Sequence, residues 1–339
     1  MRIGLDVMGG DLAPDPILQG GIDALDLLGP DDRLVLFGDA KVIEAGISSA
    51  GVDAARIEIV GTTETIGMEE SPVEAVRSKA DSSLVKLCQM ASPKAGELRL
   101  DAVISAGNTG AFVAASQMFM RRLPNVVRPG IAAVVPTFGG PVVFIDVGAN
   151  IDPKSQHLYQ YGVMGSIYAQ NLLGIERPRV ALMNVGGEEQ KGTEVLREAR
   201  DQLRECEHVN FIGYVEGRAV FDGAADVVIT DGVTGNVVIK LSEGLSSGIF
   251  KMIHREVDAI DPNLAGSFEP IVKKLYSAYD YHEYGGAPLL GVNGLCLICH
   301  GSSKARTITN AIQRATMYVN AHVNESISDR LCAVEVETG

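Results

Sequence analysis

The sequence predicts a doubly wound α/β protein built on a mainly parallel sheet. Three observations predict it: short β-branched and apolar runs recur along the chain, segments of helical period alternate with them, and most runs end in glycine or a small polar residue. Several runs are apolar on both faces, as in Val142-Val143-Phe144-Ile145 and Val227-Val228-Ile229. Strands read that way when helices cover both faces of their sheet.

In order, the expected strands are Arg2–Val7, Leu34–Phe37, Arg56–Val60, Ala102–Ser105, Ile131–Val135, Val142–Asp146, Val180–Val185, Asn210–Tyr214 and Asp226–Thr230. Helical period appears over Ser71–Met90, where Ser71-Pro72-Val73-Glu74 makes a capped start, and over Thr109–Met120, Gln156–Leu172 and Lys191–Leu203. The last third changes character. Leu245, Ile249, Phe250, Ile253, Val257 and Ile260 recur at spacings of three and four and mark one face of a helix within Ser242–Ile260. A second helical stretch over Phe268–Tyr281 follows a turn punctuated by Pro262, Gly266 and Pro270. Together they predict a helical hairpin at about 242–283, inserted before a final strand and helix. Its apolar face packs either within the domain or a dimer, or forms an exposed tip that touches a membrane or partner. No linker or repeat interrupts the chain, so one α/β domain is expected over 1–339, with an acidic end, Glu335 to Gly339, that frays.

Charge bounds the function. The 339 residues carry 29 Lys+Arg against 43 Asp+Glu, a net charge of −14. A nucleic-acid partner needs a broad basic surface and is not expected. Hydrophobic residues make up 46%, enough for a sizeable core. No apolar run reaches the ~18 residues that span a bilayer, and Met1–Asp6 does not open a secretion signal, so a cytoplasmic location is expected. The five cysteines do not form a disulfide framework in a chain of this length. Cys296-Leu297-Ile298-Cys299-His300 matches the spacing of covalent haem attachment, but Leu295, Leu297 and Ile298 around it read as a buried strand.

The 38 glycines stand out at about 11% of the chain, against a usual ~7%. Many lie just beyond expected strands: Asp6-Val7-Met8-Gly9-Gly10-Asp11, Ser105–Gly110, Asp146–Asn150, Asn184–Gly192 and Asp231–Asn236. Open α/β sheets bind ligands beyond the carboxyl ends of their strands, and glycine there lets backbone N–H groups approach an anion. His300-Gly301-Ser302-Ser303, before a helix with Lys304 and Arg306 in its first turn, is another such cradle. Each loop alone reads as an ordinary turn; their shared placement points to phosphate or another oxyanion as ligand. No G-x-G-x-x-G follows a strand, and no P-loop, G-x-S-x-G elbow, H-E-x-x-H or zinc spacing appears. Neither metal nor cofactor is expected.

Taken together, Asp6–Asp11, Ser71–Val73 with Ala75-Val76-Arg77 and Ser82-Ser83, Ile104–Ala111, Asp146–Asn150, the Asn184…Lys191-Gly192 loop, Thr230–Asn236, Tyr284-Gly285-Gly286-Ala287 and His300–Ser303 resemble the PlsX family of bacterial phosphate acyltransferases. The match runs in order to about residue 323, and Val7 stands where the family usually has Ala. The resemblance implies a Rossmann-like three-layer α/β/α fold related to isocitrate dehydrogenase and phosphotransacetylase, a homodimer, and a role early in phospholipid biosynthesis. The implied reaction moves a fatty acyl group from acyl carrier protein to inorganic phosphate. The product is an acyl phosphate, the implied consumer is a membrane acyltransferase, and peripheral membrane contact follows from that role.

For this chemistry Lys191 is the candidate cation near developing negative charge and Asn236 the candidate neutral donor. Asp6, Gly9, Gly10, Asn108, Gly148, Asn150, His300, Ser302 and Ser303 are candidates for the phosphate and pantetheine region, with Arg77 as a second phosphate clamp. Lys273 and Lys274 are candidates for docking the carrier protein, beside Lys304 and Arg306. Taken without the resemblance, Lys191 and Arg77 read equally as solvated surface residues and His300 as a helix cap. A CoA-dependent phosphotransacetylase, an NAD(P)-dependent dehydrogenase of the same fold, and a non-catalytic lipid-binding or membrane scaffold are the alternatives.

Overall fold

The computed structural model describes residues 1–260, 266, 269–271 and 285–338. Its strands are β1 (Arg2–Asp6), β2 (Arg33–Gly38), β3 (Ile57–Gly61), β4 (Ala102–Ser105), β5 (Gly130–Thr137), β6 (Gly140–Ile145), β7 (Arg179–Met183), β8 (Asn210–Val215), β9 (Val227–Ile229), β10 (Ala287–Leu290) and β11 (Leu295–Ile298). The helices are α1 (Asp15–Asp23), α2 (Ala40–Ala50), α3 (Pro72–Ser78), α4 (Ser83–Met90), α5 (Thr109–Ala115), α6 (Ser155–Leu173), α7 (Glu194–Glu205), α8 (Gly217–Phe221), α9 (Gly232–Ile260), α10 (Ala305–Asn320) and α11 (Val323–Thr338). The fold is therefore α/β, as the alternation predicts. The chain divides into two compact units: residues 1–132, 167–176 and 284–339, and residues 133–166 and 177–283.

In the first unit the strand order is β3-β2-β1-β4-β11-β10. All pairs from β3 to β11 are parallel, and β10 runs antiparallel to β11 and to the first residues of β5. Ile3 faces Leu34 on one side and Ala102 on the other, and these side chains are fully buried with Leu5, Leu36, Phe37 and Ile104. That two-sided burial is the reason the runs read as continuously apolar. The local signals act as expected: Asp39 caps α2 by accepting from the Lys41 amide at 2.9 Å, and Gly51 ends it at φ 64°.

In the second unit β6-β9-β7-β8 form a parallel run, and a two-residue turn, Phe138-Gly139, joins β5 to β6. Its core gathers Phe144, Ala181, Val215 and Val228. Helix α6 lies close on the sheet because Gly162 and Gly165 have no side chain there. A Cβ on Gly165 would come within 2.7 Å of Val227 Cγ1, and one on Gly162 within 2.9 Å of Ile229 Cδ1.

Several elements depart from the sequence reading. Ser71–Met90 is two helices, because the chain leaves α3 at Lys79 and Ser82 starts α4 by accepting from the Val85 amide. Thr109–Met120 tightens into α5 and then widens into a π-turn over Ser116–Met120. The helix expected from Lys191 starts at Glu194, since Gly192 sits at φ 90° and Thr193 supplies the cap. Helix α9 starts ten residues before Ser242, so Asn236 lies on a helix and not in a loop. Strand β10 was not anticipated. Cys296 and Cys299 are buried free thiols, each pushed up to about 12 by burial, as the buried-strand reading requires. Most of the second helix of the expected hairpin, with Lys273 and Lys274, lies outside the described residues. No described helix is long and apolar enough to cross a membrane.

Candidate active site

In the first unit the loops after β1, β4 and β11 meet. Asp6, buried at the end of β1, accepts from Ser105 Oγ at 2.7 Å and from the Met8 amide at 3.2 Å. Burial drives its carboxyl above the ordinary range, against hydrogen bonds from Ser83, Ser105 and the Met8 and Gly9 amides. Gly9 fits only because it lacks a side chain: a Cβ would fall 2.5 Å from Asp6 Oδ2 and 2.8 Å from the Gly107 amide nitrogen. Gly10 turns at φ 119°, and the Asp11 amide donates to the Gly301 carbonyl at 2.8 Å, which ties the β1 loop to the β11 loop.

Asn108 is committed within this framework. Its Oδ1 caps α5 by accepting from the Ala111 amide, and its Nδ2 faces the carbonyls of Gly67, Met68 and Glu70 at 3.0 to 3.2 Å. Ser303 is also turned inward, its hydroxyl donating to the His300 carbonyl at 2.6 Å. His300 and Ser302 are exposed, with His300 Nδ1 2.8 Å from Ser302 Oγ. Beyond them α10 begins with no side-chain cap, and exposed Lys304 and Arg306 flank its amides. The positive end of the helix dipole and two basic residues make a start suited to an anion. Arg77 lies exposed in the last turn of α3.

In the second unit the loops after β6 and β9 are locked together. The Asp146 carboxylate, fully buried, accepts from the amides of Gly148, Ala149 and Asn150 at 3.1, 3.0 and 2.6 Å. Asn150 Nδ2 donates to the buried Tyr161 hydroxyl at 2.6 Å. Thr230 Oγ1 donates to the Asp146 carbonyl at 2.7 Å, and the Gly232 amide donates to the Asn150 carbonyl at 2.8 Å. Asp231 then caps α9, accepting from the Val233 and Thr234 amides at 2.9 and 2.8 Å. Asn236 is exposed in the first turns of α9, and its side chain makes no hydrogen bond among the described residues.

Lys191 stands on the loop after β7, exposed, with Nζ 2.7 Å from Glu188 Oε2. Gly186 leaves it room, since a Cβ there would sit 2.5 Å from Lys191 Nζ. Within the same loop Asn184 Nδ2 is buried without a partner among the described residues.

The sequence model of the family described as "Fatty acid synthesis protein" matches residues 1–326. A phosphate acyltransferase of Heliobacterium modesticaldum is 43% identical over 334 residues, covering 98% of this chain and 98% of that protein. One from Nitratidesulfovibrio vulgaris is 38% identical over 335 residues, covering 98% and 95%. The chain belongs to the PlsX family of phosphate acyltransferases.

Solved structures of lower identity share the fold. A phosphotransacetylase from Streptococcus pyogenes superposes with a TM-score of 0.62 at 16% identity, over 95% of this chain and 94% of that one. The EutD phosphotransacetylase from Staphylococcus aureus gives 0.60 at 14%, with the same coverage. As a PlsX-family acyltransferase, the chain carries its candidate residues on two preformed loop clusters. Asp6, Gly9, Gly10, Asn108, His300, Ser302 and Ser303 gather in one, while Gly148, Asn150 and Asn236 share the other. Lys191 has a separate loop in the second unit. Residues absent from the sequence-derived site hold both frameworks: Ser105, Asp146, Tyr161, Thr230 and Asp231. All but Tyr161 stand in the glycine-rich strand ends, and their signal was an acid or hydroxyl at the last strand residue (Ser105) or within two residues beyond it (Asp146, Thr230, Asp231). Tyr161, in mid-helix, gave none.

Proposed function

We propose that this acyltransferase moves a fatty acyl group from the phosphopantetheine thioester of acyl carrier protein to inorganic phosphate, as an early step of phospholipid biosynthesis. The observation that carries the reading is the exposed, uncommitted Asn236 amide at the positive end of α9, on a helix start fixed by Asp146, Thr230 and Asp231. A phosphate oxygen attacks the thioester carbon, the carbonyl oxygen takes up charge in the tetrahedral intermediate, and collapse expels the phosphopantetheine thiolate, which takes a proton from solvent. Asn236 donates to the developing oxyanion and Lys191 neutralises the phosphate charge. Asp6, Gly9 and Gly10 shape the phosphate and pantetheine region with His300, Ser302 and the start of α10. Gly148 and Asn150 frame the Asn236 side, and Arg77 is the second phosphate clamp.

The carrier protein is itself acidic, so a net charge of −14 opposes encounter unless a basic patch reverses the local field. We assign that role to Lys304 and Arg306, exposed at the start of α10; Lys273 and Lys274, the other sequence candidates, lie outside the described residues. A homodimer fits the exposed apolar stripe of α9, where Val237, Leu241 and Leu245 recur every four residues and Met252 follows two turns on. Peripheral membrane contact would hand the acyl phosphate to a membrane acyltransferase. The deciding assay incubates the protein with phosphate and either palmitoyl-carrier protein or palmitoyl-CoA, with NAD(P) reduction followed in parallel. Acyl phosphate from the carrier-protein thioester is the expected result. Turnover confined to CoA, or nicotinamide reduction, would overturn the reading.

A further inference from the structure

The second unit holds an apolar cavity of about 210 Å³ beside α9. We propose that this cavity receives the distal methylenes of the acyl chain and sets the chain length the enzyme accepts. The inference rests on the acyl-transfer reading above and assigns a place to the part of the substrate that does not react.

The cavity is built by the fold. The β5–β6 turn docks on the segment after α8 through two glycines, since a Cβ on Gly139 would lie 2.5 Å from Gly223 Cα. The Phe138 amide donates to the Phe221 carbonyl at 3.1 Å. That contact sets Phe138 and Phe221 on one wall, while Ile239, Ile249 and Phe250 of α9 form the other. Phe221 and Ile239 also border the core around Phe144 and Val228, so the floor is continuous with packed hydrophobic structure. Phe138 is 77% exposed at the turn.

Size and position select the occupant. The pocket opens to solvent and is mainly apolar, with Ser242, Glu243 and Ser246 the polar residues of its lining; its volume exceeds the ~150 Å³ that admits benzene in an enclosed apolar cavity, which suits a longer stretch of hydrocarbon. It also follows the candidate oxyanion donor along a single helix. Ile239 is one turn beyond Asn236, and Phe250 lies about 21 Å along the axis at 1.5 Å per residue. One lipid acyl chain spans about half of a ~30 Å bilayer core, which fits within that run. Ile239, Ser242, Ser246 and Phe250 share one face of α9, whereas the exposed stripe through Val237, Leu241 and Leu245 lies on the opposite face. A second copy or a membrane therefore has its own apolar surface, and the cavity is left for the chain.

The test compares kcat/KM for octanoyl- and palmitoyl-carrier protein in wild type, Ser246→Phe, which fills the cavity, and Phe250→Ala, which enlarges it. A single methylene in a hydrophobic pocket is worth roughly tenfold or more in discrimination. The palmitoyl-to-octanoyl ratio is expected to fall about tenfold or more in S246F and to rise in F250A. Melting curves confirm that both variants fold, and sedimentation follows their oligomeric state. An unchanged ratio in both folded variants, or a change of oligomeric state alone, overturns the cavity assignment while leaving the transfer reaction standing. Titration with a fluorescent long-chain fatty acid reads the cavity without turnover: weaker binding to S246F supports the assignment, and equal binding overturns it. Wild type that binds this probe but forms no acyl phosphate from any thioester would instead sink the reaction.

Discussion

Ser105 Oγ lies 2.7 Å from Asp6 Oδ2, and both side chains are buried where β1 and β4 end. The bond ties two loops through a carboxyl that burial holds above the ordinary range. An acid raised in the folded state favours the native form while protonated in both states. That contribution is complete below the unfolded pKa of ~3.9 and is lost as pH rises through the folded value. Asp6→Asn keeps the shape and removes the titration. The stability of wild type minus that of D6N should therefore fall between pH 4 and pH 7 in urea titrations. A flat difference across that range would show that Asp6 does not titrate as proposed.

Lys191 and Glu188 form an exposed pair, in which the Lys191 hydrogen bond is the main cause that lowers the Glu188 carboxyl. Exposed pairs contribute little to stability, so Lys191→Ala should melt near wild type. Its acyl-phosphate formation should fall tenfold or more, equivalent to about 1.4 kcal/mol of lost transition-state stabilisation. Asn236→Ala should do the same, because the exposed amide supports no other bond. Glu188→Gln keeps the cation and should retain most activity. Wild-type rates in both K191A and N236A would remove these two residues from the mechanism.

What the sequence revealed follows from the range of each interaction. Ala102–Ser105 was legible to the residue because both faces are buried and Ala106-Gly107 stops the run. The start of α9 was not, since Gly232 and Gly235 look like turn residues until the backbone of Asp146 and Asn150 is found against them. The break between α3 and α4 depends on Ser82 and on Asp81, which accepts from Thr63 eighteen residues earlier. Asn108 suggested a substrate contact, and only the tertiary structure reveals three carbonyls around its Nδ2. The glycine-rich strand ends were legible as a set, but which of their side chains face solvent was not.

Gly235 offers a direct probe of the locked loops in the second unit. A Cβ there would collide with the Asp146 carbonyl oxygen and lie 2.6 Å from Thr230 Oγ1. The obstacle includes backbone, so the β6 and β9 loops must separate to admit it. Gly235→Ala should lose about 1–3 kcal/mol of stability, the usual cost of overpacking, measured by urea unfolding. Activity should drop as well, because Asn236 moves with the loop. Full stability with full activity would mean that the loops are not held as closely as this contact requires.

Arg179 and Asp226 tie the entry of β7 to that of β9 at the far end of the strands from the candidate loops. The guanidinium donates to the carboxylate at 2.8 and 3.0 Å, and the Arg179 amide adds a third bond at 2.7 Å. Burial pushes the Asp226 carboxyl up, but the bonds from Arg179 outweigh it and the net shift is downward. An acid lowered in the folded state contributes stability above its unfolded pKa of ~3.9 and loses it as pH falls through the folded value. Asp226→Asn should therefore destabilise the protein at pH 7, with the gap to wild type closing as the solution is acidified below pH ~4. Catalysis should be unaffected at neutral pH and low temperature, because no candidate residue bonds to this pair. A stability gap that persists unchanged at low pH would assign the effect to lost packing and not to the charge.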